Sequence, residues 1–345
     1  MVEVAVVIAA VASSAGIVFL IRRYARPLGL IDLPNQRSMH GRSVPRGGGI
    51  AIVAVPLLGL GVAGALGLTL EPAAFWGYLG GAVVVALVSL LDDIFTLPFS
   101  IRLAVQALAA VIMVGGLALS KHLGGLPAPM QVGWLLAVLA ILWTVGLSNA
   151  FNFMDGIDGL AASQSIVGGL GLALFASLAH QPWLALLALL VAGSCTGFLI
   201  YNWPPASIFM GDVGSVFLGF TFAFLALAIV FSGVTLEFAA VLLVWPFVFD
   251  TGFTLIRRLA RGRNIFEAHR THLYQRLVLA HWHPLAVTSF YVILGISACA
   301  IATAQWLVAE AIDRIALLGA LLLLPALLLA VVIRAEPKQS RRTQP

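Results

Sequence analysis

Charged residues and cysteines are scarce in this 345-residue chain, and their scarcity narrows the class of protein. Asp, Glu, Lys and Arg make up 10% of the residues, whereas soluble domains contain about 25%. The two cysteines, Cys195 and Cys299, lie in apolar stretches, so neither a disulfide framework nor a cysteine-ligated metal is expected. Hydrophobic residues account for 61% of the chain, and the mean hydropathy is +1.06. These values exclude an ordinary soluble domain and indicate an integral membrane protein.

Apolar runs long enough to cross a bilayer fill most of the chain. Each crossing of a hydrocarbon core of about 30 Å takes about 20 helical residues. The pattern predicts an all-α, polytopic membrane protein that forms a single transmembrane domain over residues 1–345, with about eleven helices. The predicted spans are residues 2–21, 48–69, 74–91, 101–119, 132–148, 161–179, 183–201, 214–231, 236–256, 285–307 and 314–333.

Positive charge is missing from one side of the predicted spans. No Lys or Arg precedes Arg22, which favours a retained first span with its N-terminus outside over a cleaved signal peptide. When the loops are assigned alternately from there, 17 of the 19 Lys and Arg residues fall inside, and only Lys121 and Arg314 fall outside. This bias predicts a periplasmic N-terminus, a cytoplasmic C-terminus and a disordered cytoplasmic tail over residues 335–345. It also explains the net charge of +5 without a nucleic-acid partner.

The few acidic residues collect at the inner ends of the predicted spans, in three clusters. Ionised groups at membrane depth are costly and usually mark a site. A single aspartate in an inner loop is most simply a solvated residue, but three clusters flanked by Gly and Asn on one side of the membrane favour a shared site. The aspartates of these clusters are Asp92, Asp93, Asp155, Asp158 and Asp212.

The spacing within the second cluster indicates what the site binds. Asn149, Asn152 and Asp155 recur every third residue, so they line one face of a helix end. Oxygen ligands without clustered Cys or His favour Mg²⁺, with Mn²⁺ as an alternative. Because Mg²⁺ is usually bound by one or two carboxylates together with substrate phosphates, the cluster favours a phosphate-bearing substrate.

Two basic features of the inner loops are candidates to bind such a substrate. Arg46 precedes the three glycines at 47–49, whose backbone amides could bind a phosphate at the start of the second span. Arg102 lies one turn before Gln106, near Asp92. The alternatives are a plain basic turn in the first case and an arginine that reaches to the interface in the second.

The last large inner loop is rich in arginine and histidine. His269, Arg270 and His272 suit a sugar and a diphosphate, and a basic amphipathic helix on anionic lipid is the alternative. Asp250, at the inner end of the ninth predicted span, has either a structural role against an arginine such as Arg257 or a catalytic role. The cytoplasmic loops expected to form the site are residues 22–47, 92–100, 149–160, 202–213 and 257–284.

Taken in chain order, these motifs resemble those of the polyprenyl-phosphate N-acetylhexosamine-1-phosphate transferase family, glycosyltransferase family 4. This family also contains the phospho-MurNAc-pentapeptide translocase. The resemblance extends over about residues 32–276, and it is the combination of motifs that is specific. The motifs are Asp92-Asp93, residues 149–159, residues 210–215 and residues 268–276.

Within the family, the chain looks most like the branch that initiates O-antigen synthesis. The segments 33–40, 45–49 and 268–276 fit that branch, and so does the predicted count of eleven spans. The translocase has three consecutive histidines in its last inner loop, whereas this chain has the separated His269 and His272. The difference argues against a muramyl-peptide substrate.

The resemblance implies an enzyme of the bacterial inner membrane whose site faces the cytoplasm. It would transfer an N-acetylhexosamine-1-phosphate (GlcNAc, FucNAc or similar) from a UDP-sugar to undecaprenyl phosphate, with release of UMP and with Mg²⁺ as cofactor. This reaction initiates O-antigen or another cell-envelope polysaccharide. A homodimer is one association state to consider, because dimers occur in the family. A lipid-diphosphate phosphatase and an ion-coupled transporter are the alternative functions.

The resemblance also implies roles for the carboxylates. Asp92, Asp93, Asp155 and Asp212 would be catalytic, and Asp212 and Asp155 would lie at the metal. Whether Asp92 acts as a general base, as a nucleophile or only electrostatically is left open.

The remaining motif residues are expected to contact the substrates. Asn152 would contact the nucleotide, Asp158 would lie near the uracil, and Phe209 would stack on it. The residues expected to bind substrate are Arg46, Arg102, Asn149, Asn152, Asp158, Phe209, His269, Arg270 and His272.

Overall fold

The protein is a bundle of helices in the part of the chain that the structure describes. The computed structural model describes residues 2–27, 29–32, 43–68, 71–120, 133–231, 242–265, 267, 269–307 and 311–335. The predicted all-helical class is confirmed there. The helices are α1 (Val2–Tyr24), α2 (Gly49–Ala65), α3 (Pro72–Phe95), α4 (Phe99–Leu119), α5 (Trp134–Met154), α6 (Leu160–Leu178), α7 (Pro182–Asn202), α8 (Asp212–Phe231), α9 (Trp245–Ala260), α10 (Leu273–Leu279), α11 (Pro284–Leu307) and α12 (Ala311–Ala335).

Eight of these helices are long and apolar enough to cross a membrane, namely α1, α3 to α8 and α11. Helix α2 and the segment Leu322–Ala335 of α12 are apolar but shorter. These ten helices match ten of the eleven predicted spans. The predicted span 236–256 lies partly outside the described residues, and α9 begins within it at Trp245. The count of eleven and the orientation of the termini therefore stay predictions. The segment 33–40 and the predicted tail, apart from residue 335, lie outside the described residues.

The helices extend further into the polar clusters than hydropathy predicted. Helix α3 continues past the predicted end at 91 to Phe95, and α5 continues past 148 to Met154. Asp92 and Asp93 therefore lie in the last helical turns of α3 and not in a loop. Hydropathy marks where the chain becomes polar, whereas a helix ends only where the backbone leaves the helical conformation. In α3 this happens at Thr96, which has a φ of 54°.

Helix α8 lies at the centre of the bundle. Nearly all of its residues are buried, and it packs against α2, α3, α5 and α6. Phe224 stacks on Tyr78 of α3 with 4.5 Å between ring centroids, and Phe222 stacks on Phe151 of α5 at 5.1 Å. Offset stacking of this kind favours one relative placement of the helices. It thereby helps to fix how the ends of α3, α5 and α8 that carry Asp92, Asn152 and Asp212 come together.

A pair of short strands connects the segment after α1 to the start of α8. Strand β1 (Ile31–Asp32) pairs antiparallel with β2 (Val44–Pro45). This sheet was not predicted, because two-residue strands are too short to produce an alternating pattern. The N–H of Phe209 donates to the carbonyl of Pro45 at 2.8 Å, and the N–H of Gly48 donates to the carbonyl of Phe209 at 3.0 Å. The ladder therefore joins the start of α2 to the segment that leads into α8.

We expect Gly49→Ala to destabilise the protein, because α2 and α8 touch at their first turns. A Cβ at Gly49 would lie 2.4 Å from the Cα of Gly214. Overpacking of this kind costs about 1–3 kcal/mol in free energy of unfolding, which chemical unfolding in detergent would measure. Gly61→Ala on the same helix is the control, since nothing lies within 4 Å of its added Cβ. Equal stability of the two variants would contradict the close packing.

Candidate active site

Asp93, a residue of α3, caps the N-terminus of α8. Its buried carboxylate accepts hydrogen bonds from the N–H of Asp212 at 3.0 Å and from the N–H of Val213 at 3.0 Å. These amides open α8 and have no partner within it, and negative charge is favoured at a helix N-terminus. Gly211, with a φ of +78°, allows the approach, because a Cβ there would lie 2.7 Å from Oδ2 of Asp93. Both oxygens of Asp93 are thus used to position Asp212.

Arg102 connects the other two acidic groups of the site. Its Nη1 donates to Oδ2 of Asp92 at 2.8 Å and to Oδ2 of Asp212 at 3.3 Å. The N–H of Leu97 donates to the second oxygen of Asp92 at 2.6 Å, which closes the turn between α3 and α4. The side chain of Asp92 is 6% exposed and that of Asp212 is 30% exposed. Asp212 is therefore the carboxylate of this cluster that a ligand can reach.

The predicted helical face of α5 is present, but its asparagines bind other side chains of the protein. Asn152 Nδ2 donates to Oδ1 of Asp212 at 2.8 Å and to Oγ of Ser215 at 3.1 Å. Asn149 Nδ2 donates to Oε1 of Gln106 at 2.6 Å. In this arrangement the Asn152 amide orients Asp212. Because Nδ2 of Asn152 already donates two hydrogen bonds, its predicted contact with a nucleotide would have to be made by its side-chain carbonyl oxygen.

Asp155 lies in negatively charged surroundings, close to other carboxylates. Burial raises the pKa of Asp155 well above its usual range, and the charges of Asp212, Asp93 and Asp158 raise it further. Such a surplus of negative charge favours a bound cation. Among the described residues, no three His, Cys, Asp or Glu side chains are grouped closely enough to hold a metal ion. Mg²⁺ is usually held by one or two carboxylates and completed by substrate oxygens, and the surplus of negative charge around Asp155 is compatible with that mode of binding.

A cleft of about 40 Å³ opens between α3, α4, α5 and α8. Its polar residues lie at adjoining ends of these helices, and valines lie one or two turns further into the bundle. This arrangement suits a ligand that has a charged head and an apolar body. The polar lining consists of Ser89, Asp92, Arg102, Gln106, Asn149, Asn152 and Asp212, and the apolar lining of Val85, Val88, Phe99, Val105, Phe153 and Val216.

Two of the predicted nucleotide contacts lie outside the lining of this cleft. Oδ2 of Asp158 accepts a hydrogen bond from the N–H of Ala206 at 2.8 Å, which ties the turn after α5 to the segment before α8. Phe209 is partly buried in that same segment. Their contacts with uracil stay predictions.

The glycines at the start of α2 do not offer their amides to a phosphate, so that prediction is wrong for Gly48 and Gly49. The N–H groups of both donate to carbonyls in the segment before α8, at 3.0 and 2.9 Å. The glycines serve close packing instead. Nη1 of Arg46 lies 4.0 Å from a carboxylate oxygen of Asp32, and its substrate contact stays a prediction.

Asp250 anchors the histidine loop from a fully buried position. One oxygen accepts hydrogen bonds from the N–H of Leu273 at 2.8 Å and from Nδ1 of His272 at 3.2 Å. The other accepts from the N–H of Tyr274 at 3.0 Å and from the hydroxyl of Tyr291 at 2.5 Å. The carboxylate caps α10 as Asp93 caps α8. The geometry therefore supports the structural role of Asp250, with histidine and tyrosine partners where an arginine was predicted.

The histidine loop is docked on the end of α5. The hydroxyl of Tyr274 donates to the carbonyl of Phe153 at 2.9 Å, and the ring of His272 lies 5.7 Å from the ring of Phe153. The ring of His269 lies 5.0 Å from that of His272, and Arg270 stands between them in the chain. His269 and His272 are thus brought beside the cleft, although neither lines it, and the substrate contact of Arg270 stays a prediction.

Sequence reasoning left three residues of this region without a role, namely Gln106, Tyr274 and Tyr291. The sequence could have indicated a role for Gln106, because it is a polar residue one turn from Arg102 in an otherwise apolar helix. It gave no such indication for Tyr291, since a tyrosine within an apolar run is compatible with simple packing.

The fold and the site define a polytopic membrane protein with a charged, partly apolar cleft at its helix ends, and comparison with known proteins gives its family. A family model described as glycosyl transferase family 4 matches residues 75–230, which include α4 to α7 and nearly all of α3 and α8. The chain belongs to this family, the one that its motifs resemble, because relatives at 30% identity or more match over most of their length.

Three relatives illustrate the match. The chain is 33% identical over 281 residues to the probable undecaprenyl-phosphate N-acetylglucosaminyl 1-phosphate transferase of Bacillus subtilis, covering 79% of this chain and 77% of that protein. It is 32% identical to the undecaprenyl-phosphate alpha-N-acetylglucosaminyl 1-phosphate transferase of Thermotoga maritima, covering 76% and 79%. It is 31% identical to the phospho-N-acetylmuramoyl-pentapeptide-transferase of Moorella thermoacetica, covering 64% and 70%.

We expect the loss of the α8 cap to be measurable as a loss of stability. Asp93→Ala leaves two buried amides without acceptors, which should lower the free energy of unfolding by about 1–3 kcal/mol. Asp93→Asn keeps one acceptor oxygen and should fall between the wild type and the alanine variant. Chemical unfolding in detergent measures both, and a fully stable Asp93→Ala protein would contradict the capping role.

The stability of the protein should depend on pH through His269. Burial, followed by the charges of His272 and Arg258, lowers the pKa of His269 to about 4. At His269 the folded state then binds fewer protons than the unfolded state between about pH 4 and 6.5, so the contribution of this residue to stability should fall as the pH drops through this window, whereas the raised pKa of Asp155 acts in the opposite direction. We expect the unfolding temperature of His269→Gln to fall less than that of the wild type between about pH 6.5 and pH 4, and His283→Gln, at an exposed position, to follow the wild type. An unchanged slope in His269→Gln would count against this assignment.

Proposed function

We propose that the protein transfers an N-acetylhexosamine-1-phosphate from a UDP-sugar to undecaprenyl phosphate, giving undecaprenyl-diphosphate-sugar and UMP. The observation that carries the proposal is the contact of Arg102 with both Asp92 and Asp212 at the head of a valine-lined cleft, in a chain of glycosyl transferase family 4. The product would begin O-antigen or another cell-envelope polysaccharide.

The names of the relatives indicate which donor to test first. Proteins similar to this chain are named as undecaprenyl- or decaprenyl-phosphate N-acetylglucosamine transferases, so UDP-GlcNAc is the first donor, and UDP-FucNAc and similar sugars follow. The relative from Moorella is named for a muramoyl-pentapeptide, but the separated His269 and His272 of this chain argue against that substrate.

The cleft provides a place where a lipid phosphate and a soluble nucleotide can meet. Val85, Val105 and Val216 would pack against the first part of the prenyl chain, and Arg102, 35% exposed, would bind its phosphate. A UDP-sugar would enter from the polar side, where the ends of α3, α5 and α8 converge. Placement of the site at the inner membrane interface allows both substrates to reach it.

The chemistry needs little acid–base help from the protein. An oxygen of the lipid phosphate forms a bond to the β-phosphorus of the UDP-sugar, and the bond from that phosphorus to the α–β bridging oxygen breaks. The electron pair leaves with UMP. The second pKa of a phosphate monoester is near 6, so the nucleophile is largely ionised at neutral pH. The main tasks are to hold two anions together and to neutralise developing charge.

The sequence left open whether Asp92 is a general base, a nucleophile or an electrostatic group, and its contacts support the electrostatic role. Its oxygens are held by Arg102 and by the N–H of Leu97, and its side chain is nearly buried. A carboxylate in this position orients the arginine, and it is poorly placed to attack phosphorus. We therefore assign Asp92 to the positioning of Arg102.

We propose that Asp212 and Asp155 hold Mg²⁺, with Mn²⁺ as an alternative. When bound, the ion would neutralise charge on the diphosphate and on the departing UMP. The accessibility of Asp212 and the surplus of negative charge around Asp155 support this assignment. Asn152 and Arg102 would keep the Asp212 carboxylate oriented while the substrates exchange.

The reaction can be tested with purified protein in detergent, undecaprenyl phosphate, Mg²⁺ and UDP-GlcNAc, with UMP release as the readout. We expect UMP release that requires both the lipid phosphate and Mg²⁺ and that stops with EDTA. Asp212→Asn should lower kcat by about 100-fold or more, because it weakens the hold on the proposed Mg²⁺, whose charge would neutralise the reacting phosphates. Glu3→Gln changes an exposed carboxylate at the far end of α1 and is the control.

Other outcomes of this assay point to the alternative functions. Release of UMP or phosphate without added lipid phosphate would indicate a hydrolase. If folded protein that binds lipid phosphate releases no UMP from any donor of the series, the transferase proposal fails and an ion-coupled transporter becomes the hypothesis to test.

A further inference from the structure

Gln106 lines the cleft, and the contact assigned to it so far is the hydrogen bond that its Oε1 accepts from Asn149. It lies on α4 one turn after Arg102, and it is 8% exposed. It lines the cleft together with Val85 and Val105, so its amide stands at the boundary between the charged and the apolar parts. A primary amide in that position needs a partner for each of its polar atoms.

A short chain of hydrogen bonds determines which way this amide points. Nδ2 of Asn149 lies 2.8 Å from the backbone carbonyl of Val145 and 2.6 Å from the amide of Gln106. A carbonyl only accepts, so the nitrogen of Asn149 must face it, and the second N–H of that nitrogen is directed at Gln106. Gln106 must therefore present its oxygen to Asn149 and turn its own Nε2 the other way. Within the described residues, nothing accepts a hydrogen bond from Nε2.

We propose that Nε2 of Gln106 donates a hydrogen bond to the phosphate of the prenyl-phosphate acceptor, and that Asn149 is the positioning residue that directs it there. This inference rests on the proposed function and deepens it. The ligand group that fits has an anionic oxygen next to hydrocarbon, because Arg102 lies on one side of Gln106 and valines on the other. A phosphate monoester on an apolar chain has that character, whereas the diphosphate of a nucleotide is polar at both ends.

The choice of a neutral donor has a physical reason. Arg102 already contributes positive charge and is shared between Asp92 and Asp212. A second cation deeper in the cleft would have to be desolvated among valines, which is costly, while an amide gains a hydrogen bond to a charged acceptor at less cost. Asn149, predicted to bind substrate directly, acts here through Gln106.

The test measures binding first, without turnover. Purified protein in detergent is titrated with a short-chain prenyl phosphate and, separately, with the matching prenyl alcohol, and Kd is read from thermal stabilisation. We expect Gln106→Leu to weaken binding of the prenyl phosphate about tenfold and to leave the alcohol unchanged. Gln106→Glu should weaken phosphate binding further, since a carboxylate would face the phosphate. It also controls for folding, because its oxygen still accepts the bond from Asn149. Leu108→Ala, at a 55% exposed position of the same helix, should bind like the wild type.

Turnover then separates this inference from the proposed function. In active protein, Gln106→Leu should raise KM for the prenyl phosphate about tenfold and leave KM for the UDP-sugar unchanged. If the wild type releases no UMP but its prenyl-phosphate binding depends on Gln106, the proposed function fails and the inference stands. If UMP is released and neither Kd nor KM for the prenyl phosphate changes in Gln106→Leu and Gln106→Glu, the inference fails and the proposed function stands. Inorganic phosphate that binds as tightly as the prenyl phosphate, with the same dependence on Gln106, would overturn the assignment to the lipid.

Discussion

The cap that Asp93 places on α8 is the contact on which the rest of the site depends. The first amides of a helix have no partner within it, and leaving such groups buried without an acceptor is costly. The buried carboxylate from α3 accepts two of these hydrogen bonds, and the helix dipole favours its charge. Because Asp92 is the preceding residue and Asp212 is the first residue of α8, the same contact brings both within reach of Arg102.

A buried aspartate also caps α10. Asp250 accepts hydrogen bonds from two successive backbone N–H groups there, and it also binds the side chains of His272 and Tyr291. Asp93 and Asp250 therefore stabilise the fold, and because their oxygens accept hydrogen bonds from the backbone they are not available to bind a ligand. Around the cleft and the histidine loop, the carboxylates divide into those that hold the backbone and those that remain for ligands. Asp155 and Asp212 are the members of the second group, and they are the two to which the proposed function assigns a cation.

The class of fold, ten of the helices and the meeting of the three acidic clusters could be predicted from the sequence, because charge in an apolar chain is confined to helix ends. The division of roles could not. Whether Asp92 or Asp93 faces α8 depends on the rotation of α3, which the stacking of Tyr78 fixes and hydropathy does not report. The amides of Gly48 and Gly49 were misassigned because glycine gives the same signal for anion binding and for close packing.

The docking of Tyr274 on the carbonyl of Phe153 changes how inactivating substitutions in this protein are to be interpreted. A defect at Asp250 or Tyr291 would disturb Tyr274 and His272, both of which contact Phe153 at the end of α5, and so would reach the residues around the cleft. Substitutions in the last third of the chain can therefore produce the same loss of activity as substitutions at the carboxylates, without any contact with substrate. Among inactive variants, loss of activity alone would therefore not separate substitutions at Asp250 or Tyr291 from substitutions at Asp212.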